Sequence, residues 1–119
     1  TDVLFFSSHL LFHNKYLYDK YHSIHHEYSY TYGMGAIYAH PVDFLATNLV
    51  PTILPSIILK FPHNINNFII LFATSYTVII SHGGFLIFNE NKSSHLKHHI
   101  LRDGNYGLLF SDKIYKFYH

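Results

Sequence analysis

FIILFATSYTVIISHGGFLIF, residues 68–88, carries no charge unless His82 is protonated. A helix of about 20 apolar residues crosses a hydrocarbon core. The stretch before it, FLATNLVPTILPSIILKF (44–61), is also apolar and uncharged until Lys60, and it contains Pro51 and Pro55. In a soluble helix interior such prolines are costly, at roughly 3 kcal/mol each. In a membrane helix neighbouring groups re-satisfy the freed carbonyls. PHNINN (62–67) reads as a polar turn, so the two runs predict a helical hairpin over about 43–88 with its tip at 62–67. The competing reading is a buried hairpin in a soluble protein. A chain of 119 residues has too little polar sequence to wrap two such helices.

The composition agrees with a membrane setting. Charged residues make up 13% of the chain and hydrophobic residues 49%, against about a quarter charged in soluble domains. The formal net charge of +1 gives no basic face for nucleic acid. There is no cysteine, which excludes disulfides and thiolate metal sites. No cationic leader with a short apolar core opens the chain, so no signal peptide is expected. The chain begins at Thr1 rather than Met, which suggests a fragment or a processed protein of one domain, 1–119.

Outward from the hairpin, the polar flanks are rich in histidine. DVLFFSSHLLFHNKYLYDKYHSIHHEY (2–28) has no Pro or Gly and reads as one continuous helix or as two with a break near Asn14. TYGMGAIYAHPVD (31–43) reads as a turn or re-entrant loop. Ser93 or Ser94 can cap a helix through HLKHHIL (95–101). RDGNYG (102–107) is a turn, and LLFSDKIYKF (108–117) is a short amphipathic end. Lys15, Lys20, Lys92, Lys97, Arg102, Lys113 and Lys116 lie on the histidine side of the hairpin and only Lys60 near its tip. The positive-inside tendency then turns the histidines to the cytoplasm.

Eight of the twelve histidines fall in three groups. His9 and His13 are four apart. His22, His25 and His26 form H-x-x-H-H, and His95, His98 and His99 repeat it. Residues three and four apart share a helix face, so each group aims two or three imidazoles at one place. The adjacent pairs let one helix reach two points a few ångströms apart, which suits two metals. Eight nitrogens exceed the needs of one tetrahedral zinc. His82 adds a ninth, and an ionisable group within a membrane span is a functional candidate by default. Imidazole suits iron, zinc, copper and nickel alike. Carboxylates available to orient the rings are Glu27, Asp43, Asp103 and Asp112, and Asn105 could hydrogen-bond a metal-bound water. His40, before Pro41, reads as a structural hydrogen-bonding residue. His63 and His119 read as solvated or interfacial.

The order H-x3-H, H-x2-H-H, apolar hairpin, H-x2-H-H resembles the fatty acid hydroxylase / sterol desaturase superfamily of integral-membrane di-iron enzymes. The nearest likeness is to the C-4 methylsterol oxidases, carried by HLLFHNKYLYDKYHSIHHEY, YGMGAIYAHPVD, SHGGF, HLKHHILRDGNYG and SDKIY. HPVD and NYG are also similar to sterol C-5 desaturases. The resemblance implies an all-α fold: an integral-membrane helical hairpin under a cytoplasmic histidine-rich cap, here without the N-terminal transmembrane helices of the family. It implies two iron ions (zinc as an alternative in isolated protein), held by His9, His13, His22, His25, His26, His82, His95, His98 and His99. Glu27, Asp103, Asn105 and Asp112 are candidates for the surrounding shell. It further implies dioxygen, electrons from NAD(P)H through a cytochrome b5-type carrier, hydrogen abstraction from an unactivated carbon of a sterol or related lipid, and, in a eukaryote, the endoplasmic reticulum membrane. The chain departs from the family at Leu10, Leu96, Ile37 and TVII (77–80), where polar partners are usual. Two other readings follow: a truncated or divergent relative that binds metal without catalysis, and a non-catalytic metal transporter with ligands along a through-membrane path.

Overall fold

The computed structural model describes residues 1–29, 32–82 and 94–118. Among these the fold is all-helical: α1 (Asp2–Phe12), α2 (15–22), α3 (Pro41–Ile58), α4 (His63–Ser81), α5 (Ser94–Leu101) and α6 (Ser111–Tyr118). Short 3₁₀ turns occupy His25–Glu27 and Gly33–Ala36.

The first segment is two helices. Asn14 is extended, and its side chain accepts the Tyr16 N–H at 3.1 Å. An Asn side chain in that role starts a new helix, so α1 stops and α2 leaves in a new direction. Pro41 then stands in the first turn of α3, where its missing N–H is harmless. His40 caps this helix by accepting the Val42 N–H at Nδ1, 3.2 Å away, the structural role expected for it.

α3 and α4 are the hairpin, and both are long and apolar enough to cross a membrane. In their most apolar windows only 22% and 6% of residues are buried. A core helix of a soluble protein would be mostly covered; these present their apolar side chains outward, as a lipid-facing pair does. The turn is shorter than expected. α3 ends with the Phe61 N–H donating to the Ser56 carbonyl and the Lys60 N–H to that of Ile57, with Lys60 left-handed at φ 52°. This is a Schellman termination with Lys rather than Gly at the left-handed position. Pro62 follows, and α4 starts at once, so residues 63–67 are helical rather than turn. His63 is exposed. The apolar stretch 83–88, Ser93 and His119 lie outside the described residues.

Three helices contain a wide π turn. The Ser23 N–H reaches the Tyr18 carbonyl, the Val50 N–H that of Leu45, and the His82 N–H that of Thr77. In α3 the widened stretch, Phe44–Leu49, ends just before Pro51, whose ring would crowd the carbonyl four residues back. In α2 and α4 it delivers His22 and His82. Such turns rotate the side chains that follow and often mark functional sites.

The two ends of the chain are pinned together by Asp2. Its Oδ1 accepts the N–H groups of Leu108 and Leu109, and its Oδ2 accepts those of Phe110 and Ser111 and the Ser111 hydroxyl. Burial pushes this carboxyl up, but the hydrogen bonds outweigh it and hold Asp2 below the ordinary range. One side chain thereby ties the start of α1 to the start of α6.

Candidate metal centre

The interior between α1, α2, α4 and α5 is filled by imidazole. His9, His13, His22, His26 and His98 form one group and His25, His82, His95 and His99 a second, with the ligand nitrogens of each group within 4.8 Å of one another. All nine histidines singled out in the sequence are thus brought together. The adjacent pairs are divided: His26 and His98 enter the first group, His25 and His99 the second. The groups touch, with the rings of His26 and His99 centred 4.5 Å apart.

Five of the rings are held from behind at Nδ1. His22 meets the Asp43 Oδ2 at 2.8 Å. His9 meets the carbonyl of Tyr106 at 2.8 Å, His25 that of Tyr38 at 3.0 Å, His82 that of Thr77 at 3.0 Å and His98 that of Gly104 at 2.7 Å. A carbonyl only accepts, so each of these Nδ1 atoms carries the proton, and the neutral ring turns its Nε2 lone pair inward. The Nε2 atoms of His9, His13 and His22 are buried without a hydrogen-bond partner, as are both ring nitrogens of His95 and His99. The Nε2 atoms of His26 and His98 face each other at 3.2 Å. Buried polar nitrogens left bare are costly, and so many converging on two points fit two divalent transition cations.

The charge state agrees. Burial, reinforced by repulsion from neighbouring histidines, pushes His13 down to about 3. Burial likewise takes His25 and His98 down to about 4 and holds His9, His26, His95 and His99 well below the ordinary histidine range. Neutral imidazole is the metal-binding form.

The supporting groups are only in part those the sequence offered. Glu27 accepts the Tyr38 hydroxyl at 2.5 Å, Asp103 that of Tyr106 at 3.3 Å, Asn105 the Lys116 ammonium at 3.1 Å and Asp112 the Gly107 N–H at 3.0 Å. None of these bonds reaches a ring. Of the available carboxylates, Asp43 alone holds a histidine. It is 1% exposed and is fixed in turn by the Thr47 hydroxyl. The other acceptors are backbone carbonyls. Two come from RDGNYG, where Arg102, Gly104 and Asn105 are all left-handed and the chain turns sharply enough to aim the Gly104 and Tyr106 carbonyls at different rings. Side-chain chemistry gives no signal for such acceptors beyond the turn itself.

The centre sits at the open end of the hairpin, between Asp43 at the start of α3 and Thr77 and His82 at the end of α4. The fold and this site define an all-helical, histidine-rich protein with two helices fit to cross a membrane. The sequence model of the fatty acid hydroxylase family matches residues 1–116, and the chain belongs to that family. It is 31% identical over 110 residues to fatty acid hydroxylase domain-containing protein 2 of Homo sapiens, covering 91% of this chain and 32% of that protein. It is 30% identical over 121 residues to methylsterol monooxygenase 2-2 of Arabidopsis thaliana, covering 92% and 45%. With very-long-chain aldehyde decarbonylase GL1-11 of Oryza sativa subsp. japonica it shares 30% over 84 residues, 71% of this chain and 31% of that protein. The chain therefore spans less than half the length of these relatives. No solved structure gives a significant match.

Proposed function

We propose that the chain is the core of a membrane di-iron oxygenase that oxidises a sterol or related lipid, in the manner of C-4 methylsterol hydroxylation. The observation that carries the reading is the convergence of nine imidazoles on two adjacent points, five of them held at Nδ1 from behind. His9, His13, His22, His26 and His98 would hold one iron and His25, His82, His95 and His99 the other. Bound iron supplies dioxygen activation and the power to attack an unactivated carbon. The carbonyls of Tyr38, Thr77, Gly104 and Tyr106 and the Asp43 carboxylate fix the ring orientations and keep the lone pairs inward. Burial of every ring but the half-buried His13 excludes bulk water from them.

The lipid is expected between α3 and α4. A cavity of about 110 Å³ there is lined by Ala36, Ile37, Phe44, Asn48, Thr74 and Thr77, among others, and Thr77 is the residue whose carbonyl holds His82. The cavity is smaller than the 300–1,000 Å³ of a whole-ligand pocket, so it suits the reacting end of a lipid whose remainder lies along the hairpin. Electrons would come from NAD(P)H through a cytochrome b5-type carrier. The cap would face the cytoplasm, supported by Lys60 standing at the tip while Lys15, Lys20, Lys97, Arg102, Lys113 and Lys116 belong to the cap. In a eukaryote the membrane would be the endoplasmic reticulum.

The test is sterol profiling of cells lacking their own C-4 methylsterol oxidase, with and without the full-length protein, alongside metal analysis of the purified protein. Restored demethylation and two irons per chain are expected. A purified full-length protein that binds no metal would sink the reading. A second reading is metal held for folding alone. It is favoured by Leu96, which is apolar and 4% exposed among the histidines of α5 where the family pattern has a polar partner. It predicts bound metal without lipid oxidation. The transport reading is disfavoured, because the histidines gather at one end of the hairpin rather than along it.

A further inference from the structure

The two histidine groups differ in their relation to water. His25, His82, His95 and His99 are all buried, as are His9, His22, His26 and His98. His13 is half-buried. Five rings are oriented by an Nδ1 partner, but among the described residues nothing holds the Nδ1 of His13. Packed among other rings, it is still the one ring of the nine that is only half-buried, and no hydrogen bond among the described residues fixes its Nδ1 from behind.

An open cavity of about 350 Å³ lies at this ring, lined by His13, Lys15, Tyr18, Asp19 and Arg102. Its walls come from two distant segments. One is the α1–α2 break. The other is the residue after α5, Arg102, which is left-handed at φ 57° and donates its N–H to the His98 carbonyl at 2.6 Å. That is a left-handed helix stop, and it swings the Arg102 side chain back over the centre. Its Nη2 reaches the His26 carbonyl at 3.4 Å. Arg102 therefore clasps the backbones of His26 and His98, two residues of the same group, at the rim of the cavity.

We infer that this cavity is a water-side port through which the five-histidine centre exchanges its metal, with His13 as the ligand at the threshold and Arg102 as its cover. The four rings of the other centre are all buried, so that centre exchanges only when the cap opens. The inference rests on reading the histidines as metal ligands. A bound metal leaves as its ligands are replaced one at a time by water or a competitor. The first to go is the ligand that solvent reaches and no outer partner restrains, since such partners contribute roughly ten- to a hundred-fold in affinity. At the port that ligand is His13. Asp19 offers a carboxylate on the outgoing path. In the four-histidine group His25 and His82 are restrained at Nδ1, and all four rings are shielded from water.

The test uses the full-length protein in detergent, loaded with two equivalents of iron and challenged with excess EDTA in about 0.5 M salt, which screens the rim charges. Metal retained is read against time. One equivalent should leave roughly ten-fold faster than the other. Arg102→Gly suits the left-handed backbone and removes the cover, so it should accelerate the fast phase and leave the slow phase unchanged. A single phase releasing both equivalents would overturn the port, as would an Arg102→Gly effect confined to the slow phase. Should the variant fold poorly, metal density in half-stripped wild-type protein decides. Remaining metal at His25, His82, His95 and His99 supports the port; remaining metal at His9, His22, His26 and His98 refutes it. Loss of both metals together defeats this inference alone, whereas a chain that never loads metal defeats the proposed function with it.

Discussion

In α4, Leu71 is 68% exposed and Phe68 67%; in the cap, His98 and His99 are 0% exposed. The hairpin turns its apolar side chains outward, and the cap fills its interior with nitrogen. Few apolar side chains are buried among the described residues: Phe5, Phe12, Ala36 and Leu96. A cap so built has little hydrophobic core to hold it; burial penalises charge on any of its imidazoles, and two protonated rings in contact would repel. On the proposed function the metals held by the imidazoles would supply much of the cap's stability, beside the Asp2 hydrogen bonds. The hairpin's must come from its own backbone hydrogen bonds and from lipid. The two regions should therefore fail under different conditions.

Chelation should separate them most sharply. Structural metal sites contribute on the order of 10 kcal/mol to folding. Full-length protein stripped of metal should show weakened, not abolished, amide-exchange protection over residues 1–29 and 94–118 at neutral pH, while α3 and α4 keep theirs. Equal loss in both regions would break the contrast. Acid comes next. In the metal-free protein the folded cap holds His13 near 3 and His25 and His98 near 4, against an ordinary value of 6.5. Between those limits the unfolded chain binds more protons than the folded one. Cap stability is therefore full above about pH 6.5 and falls as pH drops toward 4. Each proton in the difference contributes about 1.4 kcal/mol per pH unit. A pH titration of cap unfolding should show this slope, and the hairpin should show none.

Asp43→Asn should have a smaller effect. It keeps the shape of the bond to His22 but removes the charge that makes that ring a strong donor. Metal affinity at the five-histidine centre should fall about 10- to 100-fold, read by competition with a chelator, with little change at the other centre. Asp2→Ala leaves the N–H groups of residues 108–111 without their acceptor. It should destabilise the cap by about 2–3 kcal/mol, the size expected for losing charge-assisted hydrogen bonds, without altering metal stoichiometry.

These outcomes divide between what spacing conveys and what it does not. The gathering of the nine histidines is legible because three- and four-residue intervals fix a helix face. So are the hairpin and the helical class, and the break near Asn14 as one of two alternatives. The division into five and four is not legible, because π turns before His22 and His82 rotate those rings away from the ideal helical screw. Neither are the carbonyls of Tyr38, Thr77, Gly104 and Tyr106, since every residue has a carbonyl and only the backbone path selects one. Asp43 is nameable as an available carboxylate, but its pairing with His22 depends on how α2 crosses the start of α3. The start of α4 at His63 is obscured by PHNINN, whose polarity reads as turn. Pro62 and the Schellman stop at Lys60 compress the real turn to a few residues.

The finest test of the contrast uses one substitution in two places. Leu96 is 4% exposed, beside the histidines of α5, and Leu71 is 68% exposed on the outer face of α4. Leu96→Ala opens a cavity in a small, close-packed interior and should cost about 2–5 kcal/mol of cap stability. Leu71→Ala removes the same atoms from a side chain whose surroundings in a bilayer are already hydrocarbon. The hydrophobic transfer that makes a buried leucine valuable in water is absent there. Only a few lost dispersion contacts remain, so the change in bilayer-measured stability should stay within about 0.5 kcal/mol. Thermal unfolding in nanodiscs checks both. A cost at Leu71 as large as that at Leu96 would mean that another helix, not lipid, covers this face of α4.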